Sequence, residues 1–220
     1  MKFNCAIFDL DGTITDSQLL WTRCKLEVLD EHRIPRTPAL ELRIKSMELP
    51  EIAHAVVQEF RSGGGMTEQQ ILAKALERMR YYYSTAVPLK PGVEQLLRRL
   101  REKGVARCVA TGSLEDLFMP MLQRLGVVEL FDHIVTCRQV GRDKRFADVY
   151  LEAARRSGSD PAHAVVFEDT GYSAQAAKEA GFRVVGINEP SSEGSPERMR
   201  RLCDWYVDTV DQLPEDFWAD

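Results

Sequence analysis

Short apolar runs alternate with longer helix-patterned stretches along most of this chain. The first run, residues 5–8, ends in Asp9 and Asp11, and its length and composition are typical of a strand buried on both faces. Further strands are predicted at 105–110, 133–137, 164–167 and 183–187, and residues 205–207 are compatible with a short sixth strand. Helices are predicted in between, at 91–103, 114–125, 147–156 and 173–180. Strands that alternate with helices predict an α/β core with a doubly wound parallel sheet.

The segment between the first two predicted strands has a different pattern. Over residues 17–85 apolar side chains recur at helical spacing, and no strand is predicted. Two prolines and the run 62–65 separate the helices, and Thr67 with Gln70 matches a capping box. We therefore expect an insert of about four helices. The predicted core comprises residues 1–15 and 88–220, and the predicted helical insert comprises residues 16–87.

Polar residues with useful chemistry follow the predicted strands. In a parallel sheet the reactive side chains gather where the strands reach their carboxyl ends. The residues at these ends are Asp9, Asp11, Thr111, Gly112, Ser113, Lys144, Glu168 and Asp169. Taken one at a time, these groups are also typical of a solvated turn, a helix start, a charged loop or a helix N-terminal charge pair. Their occurrence at successive strand ends favours a single functional site.

The acidic residues predict a metal site. Asp9 and Asp11 alternate along one strand and tend to leave the same face, where two like charges repel unless a proton or a cation intervenes. Carboxylates from two strands suit Mg²⁺, which prefers oxygen ligands. We expect Asp9, Asp11, Glu168 and Asp169 to surround this ion, with Asp9 and Asp169 as the leading side-chain ligands.

The remaining strand-end residues predict a phosphate site. Transfer of a phosphoryl group requires donors and positive charge around its three outer oxygens. The Thr111 hydroxyl and the amides of Gly112 and Ser113 supply donors, and Lys144 supplies the positive charge. A carboxylate can attack phosphorus to form an aspartyl-phosphate, while a second carboxyl group transfers the proton.

Composition and charge limit the alternatives. The 220 residues include 44% hydrophobic and 29% charged side chains, which is typical of a globular protein. A net charge of −5 and the lack of a basic run argue against a nucleic-acid partner. No stretch reaches a membrane-spanning length, and the first apolar run is too short for a signal peptide. Five scattered cysteines indicate free thiols, so we expect a cytoplasmic protein; no pattern indicates its oligomeric state.

The order of these motifs resembles that of the haloacid dehalogenase superfamily over nearly the whole chain. Residues 9–13 resemble the first motif, which implies that Asp9 is the nucleophile and Asp11 the acid/base. The second, third and fourth motifs are matched by Thr111, by Lys144 and by Glu168 with Asp169. The insert resembles the helical cap of the subgroup that contains phosphoglycolate phosphatase and beta-phosphoglucomutase. The resemblance implies a Mg²⁺-dependent phosphatase acting on a small phosphorylated metabolite through an aspartyl-phosphate.

Departures from the subgroup pattern bear on the alternatives. Arg145 replaces a usual proline, Thr170 a usual serine and Ser173 a usual glycine, but none removes a group that the mechanism needs. Trp21 and, by a looser alignment, Leu49 stand where the mutase has a histidine-bearing pattern and a phosphate-binding arginine. A beta-phosphoglucomutase-type phosphosugar mutase is therefore the alternative enzyme. A phospho-acceptor signalling module is a further alternative, against which the second aspartate and the insert both argue.

Overall fold

The computed structural model describes residues 3–190 and 195–219. The chain divides into two compact units. One contains the residues up to Asp16 together with those from Pro88 onward, and the other is Ser17–Val87. The predicted insert and this second unit differ by one residue at the first boundary. Within the described residues, no helix combines the length and the apolar character that crossing a bilayer requires.

A parallel sheet of six strands forms the centre of the first unit, in the order β3-β2-β1-β4-β5-β6. Its strands are β1 Cys5–Phe8, β2 Ala106–Thr111, β3 His133–Thr136, β4 Ala164–Glu168, β5 Arg183–Ile187 and β6 Trp205–Val207. Every residue of β1 and β4 is buried, as their unbroken apolar runs predict for strands covered on both faces. Since β1 pairs in parallel with both β2 and β4, the chain reverses its direction of winding around β1. The predicted doubly wound sheet is confirmed.

The second unit is helical. Its helices are α1 Gln18–Glu31, α2 Pro38–Ser46, α3 Leu49–His54 and α4 Glu68–Thr85, and a π-helical stretch, Ala55–Glu59, continues α3. The capping box predicted before α4 is present: the Gln70 amide donates to Thr67 Oγ1 over 3.3 Å, and the Thr67 amide donates to Gln70 Oε1 over 2.8 Å. The buried side chains of this unit, among them Ile52, Ile71 and Met79, are spaced as an amphipathic helix requires.

The helices of the first unit cover its sheet. They are α5 Val93–Glu102, α6 Glu115–Arg124, α7 Cys137–Val140, α8 Asp148–Arg156, α9 Gly171–Glu179, α10 Pro196–Leu202 and α11 Glu215–Trp218. Gly92 is the N-cap residue that precedes α5; its φ is +79°, and a Cβ there would lie only 2.8 Å from the Cβ of Asp211. Glycine is therefore required at this turn for both its backbone angle and its size.

The largest departures from the predicted elements are three short helices. α7, α10 and α11 were not predicted, and Cys137 begins α7 rather than ending β3. Helices of one or two turns contain too few residues to show a hydrophobic period. Local caps form two of them: the Gln139 amide donates to Thr136 Oγ1, and the Arg198 amide donates to Ser195 Oγ.

The two segments of the first unit that flank the helical unit pair with each other. Thr15 forms an antiparallel bridge with Leu89. The Asp16 amide donates to the Pro88 carbonyl, and the Lys90 amide donates to the Ile14 carbonyl, both over 3.0 Å. This pairing lies just after the loop that follows β1, so it fixes the end of that loop in place.

Candidate active site

The loop after β1 presents Asp9 and Asp11. Asp9 is 7% exposed, and its amide donates to the Phe167 carbonyl of β4 over 3.0 Å, so the backbone at Asp9 continues the sheet. Gly12 then turns the chain with φ +88°, a conformation that suits glycine. The Leu10 carbonyl closes the turn by accepting from the amide and the hydroxyl of Thr15.

Lys144 reaches this loop from the segment between α7 and α8. It is 8% exposed, and its ammonium group donates to Oδ1 of Asp9 and, over 2.7 Å, to Oε1 of Glu168. Burial alone would lower the pKa of Lys144, but the charges of Asp9 and Glu168 outweigh burial and raise that pKa well above its ordinary value. Lys144 is therefore a permanent positive charge between two carboxylates.

At Asp9, in contrast, the effect of burial on the pKa outweighs that of the neighbouring opposite charge. Burial raises the pKa of Asp9 from 3.8 to about 7; Lys144 opposes this rise, while the negative charges of Glu168 and Asp11 add to it. A second positive charge beside Asp9 would favour its ionised form, which is the form that can act as a ligand or a nucleophile.

Glu168, at the end of β4, is held from both sides. Its Oε1 accepts from Lys144 and, over 2.7 Å, from the hydroxyl of Tyr150. Its Oε2 accepts from the Asp169 amide and from both the amide and the hydroxyl of Thr170, over 3.0 to 3.1 Å. These contacts supply hydrogen bonds to both oxygens of a carboxyl group that is only 1% exposed, which offsets the cost of burying it.

Asp9, Glu168 and Asp169 form a group that suits a metal ion. All three are buried, and one carboxylate oxygen from each lies within 4.8 Å of the others. An all-oxygen, all-carboxylate donor set fits Mg²⁺ rather than a softer metal. Asp11, which the sequence also placed among the ligands, is not a member of this group among the described residues.

The end of β2 brings Thr111, Gly112 and Ser113 to the same sheet edge. Thr111 is 1% exposed, and the Ser113 amide donates to its Oγ1 over 2.9 Å. The Ser113 hydroxyl donates to Oδ2 of Asp11. A Cβ added to Gly112 would meet no atom of the described chain within 4 Å, so its backbone faces open space. In this structure Ser113 therefore contacts Asp11 and Thr111, while Gly112 is exposed.

Three residues near this site were not among the predicted site residues. The Thr13 hydroxyl donates to Oδ1 of Asp169 over 3.2 Å, and Thr170 and Tyr150 both donate to Glu168. Thr13 is the last residue of the first motif and Thr170 directly follows the fourth, so their positions in the sequence could have indicated them. Tyr150 lies in the apolar pattern of α8 and resembles an ordinary core residue.

A family model for haloacid dehalogenase-like hydrolases matches residues 6–187. The chain belongs to this family. The matched segment includes every residue of the site described above, so the resemblance noted in the motifs is confirmed. The predicted enzyme class, a phosphoric monoester hydrolase of this family, is also confirmed by the relatives below.

Relatives and solved structures of similar length also match this chain. Hexitol phosphatase B of Escherichia coli (strain K12) is 26% identical over 214 residues, covering 94% of this chain and 93% of the relative. A beta-phosphoglucomutase from Clostridium difficile superposes with a TM-score of 0.72 at 21% identity, covering 98% of this chain and 95% of the other. A family hydrolase from Deinococcus radiodurans R1, solved with bound phosphate and sodium, has a TM-score of 0.77 at 23% identity, with coverage of 98% and 95%. At these identities the two structures support the fold alone.

Proposed function

We propose that this protein hydrolyses a small phosphorylated metabolite through an aspartyl-phosphate on Asp9. The observation that carries the proposal is the position of Lys144, which joins Asp9 of the first motif to Glu168 of the fourth at one sheet edge. A buried cation between two buried carboxylates is costly to assemble for stability alone. The arrangement suits a site that binds a dianionic phosphoryl group beside a nucleophilic carboxylate.

We further propose that Asp9, Glu168 and Asp169 would hold Mg²⁺. Their shared oxygen chemistry and their burial support this assignment. When bound, the ion supplies positive charge that offsets the charge on the transferring phosphoryl oxygens. Without a metal the pKa of Asp9 is raised to about 7, so Asp9 is partly protonated at neutral pH. The positive charge of the ion would favour the ionised form of Asp9.

The other residues take the roles that their positions allow. Asp9 attacks phosphorus, and Asp11 protonates the leaving oxygen and later removes a proton from water. The Ser113 hydroxyl donates to Asp11 and so orients its carboxyl group. The Gly112 amide and the Thr111 hydroxyl face the phosphate oxygens, and Lys144 keeps its positive charge throughout.

A phosphosugar mutase is the alternative, because a beta-phosphoglucomutase shares this fold. Two side chains of the helical unit argue against it. Leu49 is 5% exposed and apolar, so it cannot replace a phosphate-binding arginine. Trp21 stands where the mutase has a histidine-bearing pattern, and its indole nitrogen instead donates to the Tyr83 hydroxyl over 2.9 Å. Incubation of beta-glucose 1-phosphate with a bisphosphate primer should yield little glucose 6-phosphate, and efficient conversion would favour the mutase.

Two further proposals concern the whole chain. We propose that the helical unit, Ser17–Val87, is the cap domain of the family subgroup. A cytoplasmic location is supported by its five cysteines, all of which are free thiols.

The proposed function is tested with a panel of phosphorylated metabolites. Phosphate release should require Mg²⁺, stop in excess chelator and resume when Mg²⁺ is restored. Asp9→Asn should abolish turnover and leave no acid-stable phosphate on the protein. Asp208→Asn is the matched control, since Asp208 is an exposed aspartate of the same unit that accepts from Asn188. Full activity in excess chelator, or phosphate trapped on a residue other than Asp9, would refute the proposal.

A further inference from the structure

The hydroxyl of Tyr150 is the feature of this unit that its core packing does not explain. Tyr150 is 0% exposed and lies on α8 within the apolar core, where its ring packs edge-to-face against Phe182 with 6.3 Å between centroids. A phenylalanine would fill the same space. Burying a hydroxyl costs free energy unless it is hydrogen-bonded, so the hydrogen-bond partner of this hydroxyl indicates why the residue is tyrosine.

That partner is Glu168. The Tyr150 hydroxyl donates to Oε1 of Glu168 over 2.7 Å, a length typical of a strong bond to a charged acceptor.

The same carboxylate oxygen anchors Lys144. Oε1 of Glu168 accepts from both the Lys144 ammonium and the Tyr150 hydroxyl, each over 2.7 Å. The ammonium also lies 5.6 Å from the centroid of the Tyr150 ring, within range of a cation–π contact. Tyr150 therefore touches both members of the pair that joins the first and fourth motifs.

We infer that Tyr150 is a positioning residue of the active site: its hydroxyl holds Oε1 of Glu168 where Lys144 must be anchored. The inference rests on the proposed function, because Lys144 matters to catalysis only if a phosphoryl group is transferred. Without the Tyr150 hydroxyl, Oε1 of Glu168 still accepts from Lys144, but it loses the second donor that fixes the orientation of the carboxyl group. Glu168 is then free to turn about its donors on Oε2, and Lys144 loses its fixed place beside Asp9.

The kinetic test replaces Tyr150 with phenylalanine, which keeps the ring and removes only the hydroxyl. Loss of a residue that orients an active-site carboxylate typically lowers activity or metal affinity by about 10- to 100-fold, and we expect a loss in this range for kcat/KM. The loss should fall mainly on kcat, since Lys144 acts on charge that develops in the transition state. The control is Tyr206→Phe, which removes a hydroxyl that donates to Asn188 over 2.9 Å elsewhere in the same unit and should leave kcat/KM unchanged.

A second readout needs neither substrate nor metal. Lys144 is labelled by an amine-reactive reagent in chelator at a single pH, and the labelled fraction is followed by mass spectrometry. Weaker anchoring should expose the amine more often, so Tyr150→Phe should label about tenfold faster than wild type, while Tyr206→Phe should not. Tyr150→Met also lacks the hydroxyl and serves as a second variant if the phenylalanine variant does not fold.

The two proposals fail in different ways. If the wild-type protein releases no phosphate from any metabolite, the proposed function fails, while faster labelling of Lys144 would still support the role of Tyr150. If labelling of Lys144 in the Tyr150 variants matches wild type, the inference is overturned whatever the activity. Equal kcat/KM for Tyr150→Phe and wild type would overturn it too.

Discussion

Replacing Lys144 with methionine should make the stability of the free protein depend on pH in a way that the wild type does not. Methionine fills much of the lysine volume but removes the ammonium group that donates to Asp9 and Glu168. Glu168 keeps four other donors, from Tyr150, Asp169 and Thr170, so Asp9 bears most of the loss. Asp9 would then be a buried carboxylate beside other acids with no opposing charge, a situation that raises a carboxyl pKa.

The sign and the size follow from the pKa of Asp9. Its folded value of about 7 lies above the ordinary 3.8, so the wild type loses stability as pH rises from 3.8 to 7 and loses no more from this group above 7. Removing an adjacent opposite charge raises a carboxyl pKa by roughly 1–3 units. With a rise of about two units, the variant keeps losing stability up to pH 9, and its deficit relative to wild type grows by about 2 kcal/mol between pH 6 and pH 9. Lys144 stays charged across this range in the wild type, so Asp9 alone supplies the slope.

The assay is urea denaturation in chelator at pH 6 and pH 9, for wild type and Lys144→Met. Lys178→Met is the matched control, because Lys178 donates to Asp204 over 2.8 Å in the same unit. The hydrogen bonds of Asp204 outweigh its burial and hold its pKa below 3.8, so it is ionised throughout this range and the control deficit should not change with pH. An equally constant deficit for Lys144→Met would show that Lys144 does not set the ionisation of Asp9.

Three further predictions concern single residues. With para-nitrophenyl phosphate, the Asp11→Asn variant should release about one equivalent of nitrophenolate in a burst, because this activated leaving group needs little protonation. Steady turnover should then be about 10²- to 10⁴-fold slower than in wild type, because the attacking water still needs a base. A steady rate equal to that of wild type would exclude Asp11 as that base. The hydroxyl of Ser173 is buried and has no hydrogen-bond partner within the described chain, so Ser173→Ala should raise the unfolding free energy by about 1 kcal/mol; a loss of stability would show that the hydroxyl is satisfied. Gly92→Ala should lower the thermal midpoint more than Gly126→Ala, because both have positive φ but only the new Cβ at Gly92 meets Asp211, at 2.8 Å; equal losses would show that the contact relaxes.

The sheet could be predicted from the sequence because each buried strand is an unbroken apolar run that stops at a polar residue. β1 ends before Asp9, and β4 ends at Glu168, where charge first enters the run. β2 extends to Thr111, one residue beyond its prediction, since threonine is compatible with a strand and its hydroxyl can still turn toward the site. The short helices could not be predicted, because their stability comes from single caps such as Thr136 rather than from periodicity.

The members of the site were easier to predict than their pairings. Topology alone brings strand ends together, so Asp9, Lys144 and Glu168 could be grouped from their order in the chain. Which donor meets which oxygen depends on side-chain rotamers and on distances across elements, which spacing does not report. The sequence predicts that the Ser113 amide faces phosphate, but it does not show that this amide donates to Thr111 Oγ1 over 2.9 Å or that the Ser113 hydroxyl donates to Asp11. Tyr150 was not predicted at all, since a core position on a helix gives no sign of a carboxylate partner.

The charge of the buried cluster links the fold to the proposed chemistry. Asp9, Glu168 and Asp169 with Lys144 would carry a net charge of −2 if all were ionised, and all four are less than 9% exposed. Buried charge of one sign is unfavourable, and the pKa of Asp9, raised to about 7, shows where the chain relieves it by taking up a proton. A divalent cation would relieve it more completely and would ionise Asp9 at the same time. The excess of buried negative charge, which is unfavourable for folding, would thus also attract the cation that ionises Asp9 for its attack on phosphorus.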